Sequence, residues 1–243
     1  MPRVAPARAM RLRPSNQWAI LAAALVIAHA VPASAEIITI EGSEKVASTW
    51  IESGERGIET ADPLFIGRDS GGHARRALMA FDLSGLVGLT PPAATLTLNG
   101  RSAGSTGDFG LTTLNLHLLT RPFDDAQATW TNAALGEPWT NPGGDFLPDP
   151  IATIEVDVSA FGDDVELVFA SEALLAAAGQ AIAAESDLSL LLSAPELEAA
   201  DATNVLAFKG PQSGSGPMLT LIPEPASLSL LGLGGLILMR RRR

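Results

Sequence analysis

The sequence predicts an all-β sandwich with one short helix, set between two targeting ends. Three observations carry this: short apolar segments recur with turn residues between them, several alternate apolar and polar residues, and one Ala- and Leu-rich stretch has helical periodicity. Alternation is what a strand needs when one face meets a core and the other meets water, because successive side chains point to opposite faces.

The chain opens on Arg3, Arg8, Arg11 and Arg13, continues with an apolar run over 18–30 and reaches Ala33-Ser34-Ala35. A basic region, a short apolar core and a small-residue site in that order form a secretory signal peptide. The run is shorter than the roughly 20 apolar residues that span a bilayer. Export through the Sec translocon and cleavage by signal peptidase after Ala35, with Ala33 and Ala35 as the site's small residues, is therefore expected over retention as an anchor. The mature chain then begins at Glu36.

Residues 36–222 read as one domain. Its candidate strands are 37–40, 45–51, 64–67, 77–81, 94–98, 114–119, 151–158, 165–169, 188–193, 204–209 and 218–222. In Ala94-Thr95-Leu96-Thr97-Leu98 and Leu114-Asn115-Leu116-His117-Leu118 every second residue is apolar. The stretch 171–185 places Leu174, Leu175, Ala178 and Ile182 on one helical face, with Ser171 positioned to cap it. This helix is expected to close one end of the sandwich rather than to bind a partner. Ser70-Gly71-Gly72, Thr90-Pro91-Pro92, Asn141-Pro142-Gly143-Gly144 and 210–217 are loops by their backbone requirements.

The last 21 residues, 223–243, form a second targeting element. Pro223, Glu224 and Pro225 precede an apolar stretch over 226–239, and Arg240, Arg241, Arg242 and Arg243 follow. The prolines stop the preceding strand, the apolar stretch suits a short transmembrane helix, and four arginines held on the cytoplasmic side stall the chain there. A helix packed into the domain would gain nothing from ending in four adjacent like charges. These residues resemble the PEP-CTERM sorting signal, which has the same three parts in the same order. The resemblance implies recognition by an exosortase, an inner-membrane transpeptidase-like enzyme of Gram-negative bacteria that make exopolysaccharide, and removal of the tail near Pro-Glu-Pro.

The whole chain has a net charge of −11. Residues 36–222 hold eight Lys and Arg against 26 Asp and Glu, a net of −18, because the other eight arginines lie in the two ends. An exported body so acidic repels nucleic acid and anionic membrane. With no cysteine, stability must come from a core, with bound cations as the other available source; a domain of 187 residues buries roughly 70% of its unfolded surface and has room for a core.

The order of these segments resembles the DNRLRE family, β-sandwich modules of secreted proteins grouped with certain carbohydrate-binding modules. Ala47-Ser48-Thr49-Trp50-Ile51 with Leu64-Phe65-Ile66-Gly67 is similar to its opening strands. Arg75-Arg76-Ala77-Leu78-Met79-Ala80-Phe81-Asp82-Leu83-Ser84 is similar to its basic-apolar-Phe-Asp-Leu-Ser strand and turn. The likeness continues through Arg121 to Trp130, Trp139 and Gly143-Gly144-Asp145, and closes with Val205 to Lys209 and Met218 to Leu221. It implies a jelly-roll-like β-sandwich with a glycan-related role.

The catalytic signatures are sparse. No serine sits in a Gly-x-Ser-x-Gly frame and there is no cysteine nucleophile. Outside the signal peptide the histidines are His73 and His117, and neither shows metal-ligand spacing. A glycosidase needs two suitably separated carboxylates, a separation that sequence does not give. Asp124, Asp125, Asp145 and Asp149 lie in loop-like context; with no EF-hand frame present, simple solvation is the favoured reading, and oxygen ligation of a structural calcium is the alternative. For a sugar ring, Trp139 beside Pro138 and Asn141 is the candidate platform, whereas Trp50 and Trp130 read as packing. Arg75 and Arg76 are candidates for bidentate contact with uronic acid carboxylates, with an internal structural partner as the alternative for Arg76. The expectation is a non-catalytic surface or matrix protein, structural or glycan-binding in the exopolysaccharide layer. Its rivals are a polysaccharide hydrolase or lyase and a self-associating adhesion protein.

Overall fold

Strand pairing follows the alternation, and every pair is antiparallel. A computed structural model of the chain describes residues 36–54, 62–105 and 110–223. In chain order the elements are β1 (Ile38–Ile40), β2 (Val46–Glu52), β3 (Leu64–Arg68), β4 (Ala74–Phe81), β5 (Ala93–Ser105), β6 (Leu111–Leu118), β7 (Asn132–Ala134), β8 (Glu137–Pro138), β9 (Ala152–Asp157), β10 (Glu166–Ala170), helix α1 (Glu172–Ala183), β11 (Leu188–Ser193), the one-turn helix α2 (Pro195–Glu198), β12 (Asn204–Phe208) and β13 (Met218–Ile222). Among the described residues the fold is mostly β, a curled antiparallel sheet with one helix longer than a single turn.

Eleven strands share that sheet in the order β1-β13-β5-β12-β3-β4-β11-β6-β9, with β10 on β5 and β2 on β4. The curl turns on β5. Its first half pairs with β13 on one edge and β10 on the other, while its second half pairs with β12. The sequence reading ended this strand at Leu98, where the large apolar residues stop. It continues through Gly100 to pair with β12, and glycine is needed at that position because a Cβ there would lie 2.4 Å from the Gly162 carbonyl oxygen.

One large apolar core lies inside the curl. Met79 and Phe81 of β4, Leu190 and Leu192 of β11, Leu96 and Leu98 of β5 and Leu206 and Phe208 of β12 all belong to it. Ser171 caps α1 by accepting the Leu174 amide hydrogen bond at 2.9 Å, and Leu174, Ala177, Ala178, Ala181 and Ile182 are its buried residues. The predicted helix and its cap are both present, with Leu175 at the margin of the buried face.

A second core was not foreseen. Ile51, Leu78 and Leu191 point away from the first, as period-two alternation requires, and the segment 119–147 folds over them with Leu119, Ala128, Ala133 and Trp139. Leu78 and Leu191 are cross-strand partners. β4 and β11 are therefore buried on both faces, and the segment 119–147, of which the sequence marks only 141–144 as a loop, is a packed cover. The short β7–β8 hairpin lies within it.

The predicted signal peptide, with Ala33 and Ala35, and the predicted tail from Glu224 and Pro225 through Arg240, Arg241, Arg242 and Arg243 lie outside the described residues; Pro223 is the last one described. Among the described residues no helix is long and apolar enough to cross a membrane.

Candidate functional site

The densest ionic chemistry sits where β2 ends beside the β3–β4 hairpin. Register places Glu52 opposite Arg75, and Arg75 opposite Gly67. The hairpin turn is built by Asp69, whose Oδ1 accepts the Gly71 and His73 backbone N–H groups at 2.9 and 2.8 Å. Its other oxygen, Oδ2, accepts from Arg75 Nη2 at 3.1 Å, and Arg75 Nε donates to Glu52 Oε2 at 2.6 Å. The guanidinium also lies 4.7 Å from the Trp50 ring centroid and 5.2 Å from that of Phe65, two rings packed edge to face at 5.3 Å.

His73 completes the group. Its ring packs against the Gly54 and Gly71 backbones, and its Nδ1 lies 3.5 Å from Asp69 Oδ1 and 3.6 Å from Glu52 Oε1. Burial pushes the Asp69 carboxyl up, but the His73 amide, the Arg75 charge and the His73 ring together outweigh it and hold the group below the usual carboxylate range. Glu52, Asp69 and His73 each bring one potential ligand atom within 4.8 Å of the others. Arg75 already neutralises charge on both carboxylates, so a cation there would compete with a fixed guanidinium.

Sequence reading missed this cluster. Its only sequence sign was the Asp-Ser-Gly-Gly-His turn two residues before Arg75; the role of Glu52 follows from register alone.

Beside the cluster opens a cavity of about 360 Å³ lined by Phe65, Asp69, Ser70, Arg75, Ser102 and Thr203 over a floor of small residues. A larger depression of about 610 Å³ lies where the end of α1 meets β6 and β11, with Arg121, Gln180, Glu185 and Asp187 on its walls. Burial and the neighbouring Asp82 charge push the Asp187 carboxyl up.

Of the residues singled out from sequence, Trp139 and Arg75 are placed differently from expectation, and Arg76 takes the internal partner that was its alternative. Trp139 is no exposed platform: it keeps 5% of its surface, lies in the second core, and donates its Nε1–H to the Thr129 carbonyl at 2.9 Å. Arg75 is buried and engaged as described, so its fork does not face solvent as a carboxylate clamp. Arg76 donates Nε and Nη2 to Glu198 at 3.1 and 2.8 Å and Nη1 to the Gly143 carbonyl at 3.0 Å, with its guanidinium beside the Trp130 and Phe146 rings. Asn141 is exposed, and its backbone N–H donates to Asp145 Oδ1 at 2.9 Å.

Of the four loop acids, Asp145 is buried and accepts the Thr140 and Asn141 amides on its two oxygens. Burial pushes it up, and those two bonds prevail and lower it. Asp124 accepts the Ala126 amide at 2.9 Å, while Asp125 and Asp149 are exposed. Among the described residues these four acids do not form a group of converging ligand atoms. His117, read as a strand residue, is buried with Nδ1 2.9 Å from the Leu147 carbonyl oxygen.

The PEP-CTERM protein-sorting motif covers residues 221–243, the region of Pro223-Glu224-Pro225, the apolar stretch and the four arginines. The motif marks an exosortase-targeted, exported chain whose membrane-anchored precursor is processed at the cell envelope. No curated protein matches the chain.

Proposed function

We propose that the chain is a precursor exported through the Sec translocon, trimmed by signal peptidase, held at the inner membrane by its tail and cut by exosortase, and that its acidic domain then serves at the cell surface or in the exopolysaccharide matrix. The observation that carries this reading is the sorting motif over 221–243. The domain is a DNRLRE-type module, a jelly-roll-like β-sandwich that is non-catalytic and works by holding or organising glycan. Supporting this, β5 takes part in both halves of the curled sheet, and Arg75 and Arg76 are engaged with carboxylates and aromatic rings of the domain itself. Calcium has no part in this reading.

The test is to express the full chain in an exosortase-bearing Gram-negative host and in the same host lacking the enzyme. The expected result is a surface or matrix form that has lost the residues beyond Pro-Glu-Pro, replaced by a membrane-held, uncut precursor when exosortase is absent. An intact tail on the exported form in both hosts overturns the proposal.

A further inference from the structure

We infer that the cavity beside Phe65 binds one stretch of a neutral glycan, with Phe65 as the wall on which a sugar ring rests; this inference builds on the glycan-holding reading above. The cavity is written into the strand register. Ala207 of β12 lies between Phe65 of β3 and Ser102 of β5, and Val205 lies between Gly67 and Gly104. Two successive cross-strand rows thus put small residues beside one aromatic, and the missing side-chain volume is the trough. Phe65 is held in place by its neighbours, because the Trp50 ring packs against it at 87° and the Arg75 guanidinium lies 5.2 Å from its ring centroid.

The rim supplies hydrogen-bonding groups with capacity to spare. The hydroxyls of Ser70, Ser102 and Thr203 line the cavity and bond to no described residue. Arg75 lines it too, and its donors Nε and Nη2 are used on Glu52 and Asp69 while Nη1 is not. An apolar wall facing a rim of hydroxyls and a guanidinium matches a ring with an apolar face and polar edges, which is the form of a pyranose. The volume, about 360 Å³, is near the lower end of the roughly 300–1,000 Å³ of small-molecule sites. That suits a short length of chain.

Charge selects the class of sugar. Arg75 carries the positive charge of this rim, and two carboxylates contact it at 2.6 and 3.1 Å, so it presents no net attraction to a uronate. The domain's charge of −18 adds long-range repulsion against a polyanion. Neutral glycan is the class that escapes both terms.

The test is affinity electrophoresis of the full chain, in mild detergent, through gels containing a soluble neutral β-glucan, a neutral mannan or a polyuronate. The variants are Ser102→Leu, which fills the trough from an exposed strand position, and Phe65→Ala, each checked for an unchanged melting temperature. The expected result is retardation in a neutral gel, none in polyuronate, and about tenfold or greater weakening by Ser102→Leu, as loss of a central contact produces. Phe65→Ala should weaken binding alike; if it unfolds, Ser102→Leu alone decides. Retardation in neutral gels that Ser102→Leu leaves intact overturns the site but keeps glycan binding. Retardation in polyuronate alone overturns the sugar class. No retardation in any gel overturns both the site and the glycan-holding role, while export and tail removal stand on their own experiment.

Discussion

Arg75 and Arg76 are neighbours in sequence and serve opposite faces of β4. Arg75 meets Glu52, Asp69 and Trp50, whereas Arg76 meets Glu198, Trp130 and Phe146. Both are used as planar cations between an aromatic ring and a carboxylate, a geometry lysine cannot copy. A third pair, at the far end of β4, gives a pH prediction. Lys45 Nζ donates to Asp82 Oδ2 at 2.6 Å, and the Ser84 hydroxyl and amide donate to Oδ1. The Lys45 bond foremost, followed by the Ser84 bonds, lowers the Asp82 carboxyl to about 2 from 3.8. Because the folded value lies below the unfolded one, the stabilisation is complete above the unfolded value and is lost as pH falls from there to the folded one. Asp82→Asn should therefore be less stable than the native chain at neutral pH, with the gap closing over that acid window. Urea melts at a series of pH values measure it, and a gap that stays constant across the window refutes the assignment.

At the scale of elements, the segment 119–147 was the least legible part of the chain. The strands were legible because one-sided burial writes alternation into them, and 188–193 and 218–222 are strands at those bounds. Gly and Pro density marked 141–144 as a loop, which it is by backbone, but backbone irregularity does not reveal whether a loop is bare or docked. Docking depended on Leu78 and Leu191, which in sequence look like any interior residues of an apolar strand. The cluster of Glu52, Asp69, His73 and Arg75 was hidden for a related reason, since strand register joins residues far apart in the chain. Arg76 is the polar clamp of the docked segment, tying Glu198 to the Gly143 carbonyl. Removing one partner of a buried ion pair costs roughly 3–5 kcal/mol, and since the Arg76 side chain keeps 20% exposure, Arg76→Ala should cost about 2–3 kcal/mol. Hydrogen exchange should rise selectively at the Gly143 and Trp139 amides, whose acceptors are the Trp130 and Thr131 carbonyls. Loss of protection spread evenly over the whole domain would show that Arg76 holds the sheet rather than its cover.

For the whole molecule the governing quantity is the charge of −18 on residues 36–222. Ion pairs and self-repulsion respond to salt in opposite senses, so salt decides which dominates. The pairs of Arg75 and Arg76 are largely shielded from solvent, with Arg75 at 11% side-chain exposure, and screening reaches such pairs weakly. The surplus carboxylates repel one another through solvent, where screening is effective. Raising salt from about 0.01 M to about 0.15 M shortens the screening length from roughly 30 Å to roughly 8 Å and should raise the melting temperature, because repulsion weakens while the shielded pairs persist. The same shift should follow with sodium chloride at constant pH and be indifferent to chelator, since screening needs no bound ion. A melting temperature that falls with salt would mean that exposed pairs such as Lys45 with Asp82 and Arg121 with Glu137 outweigh the surplus. A rise seen only with divalent ions and reversed by chelator would instead assign the stabilisation to a bound cation, for which Glu52, Asp69 and His73 are the first residues to mutate.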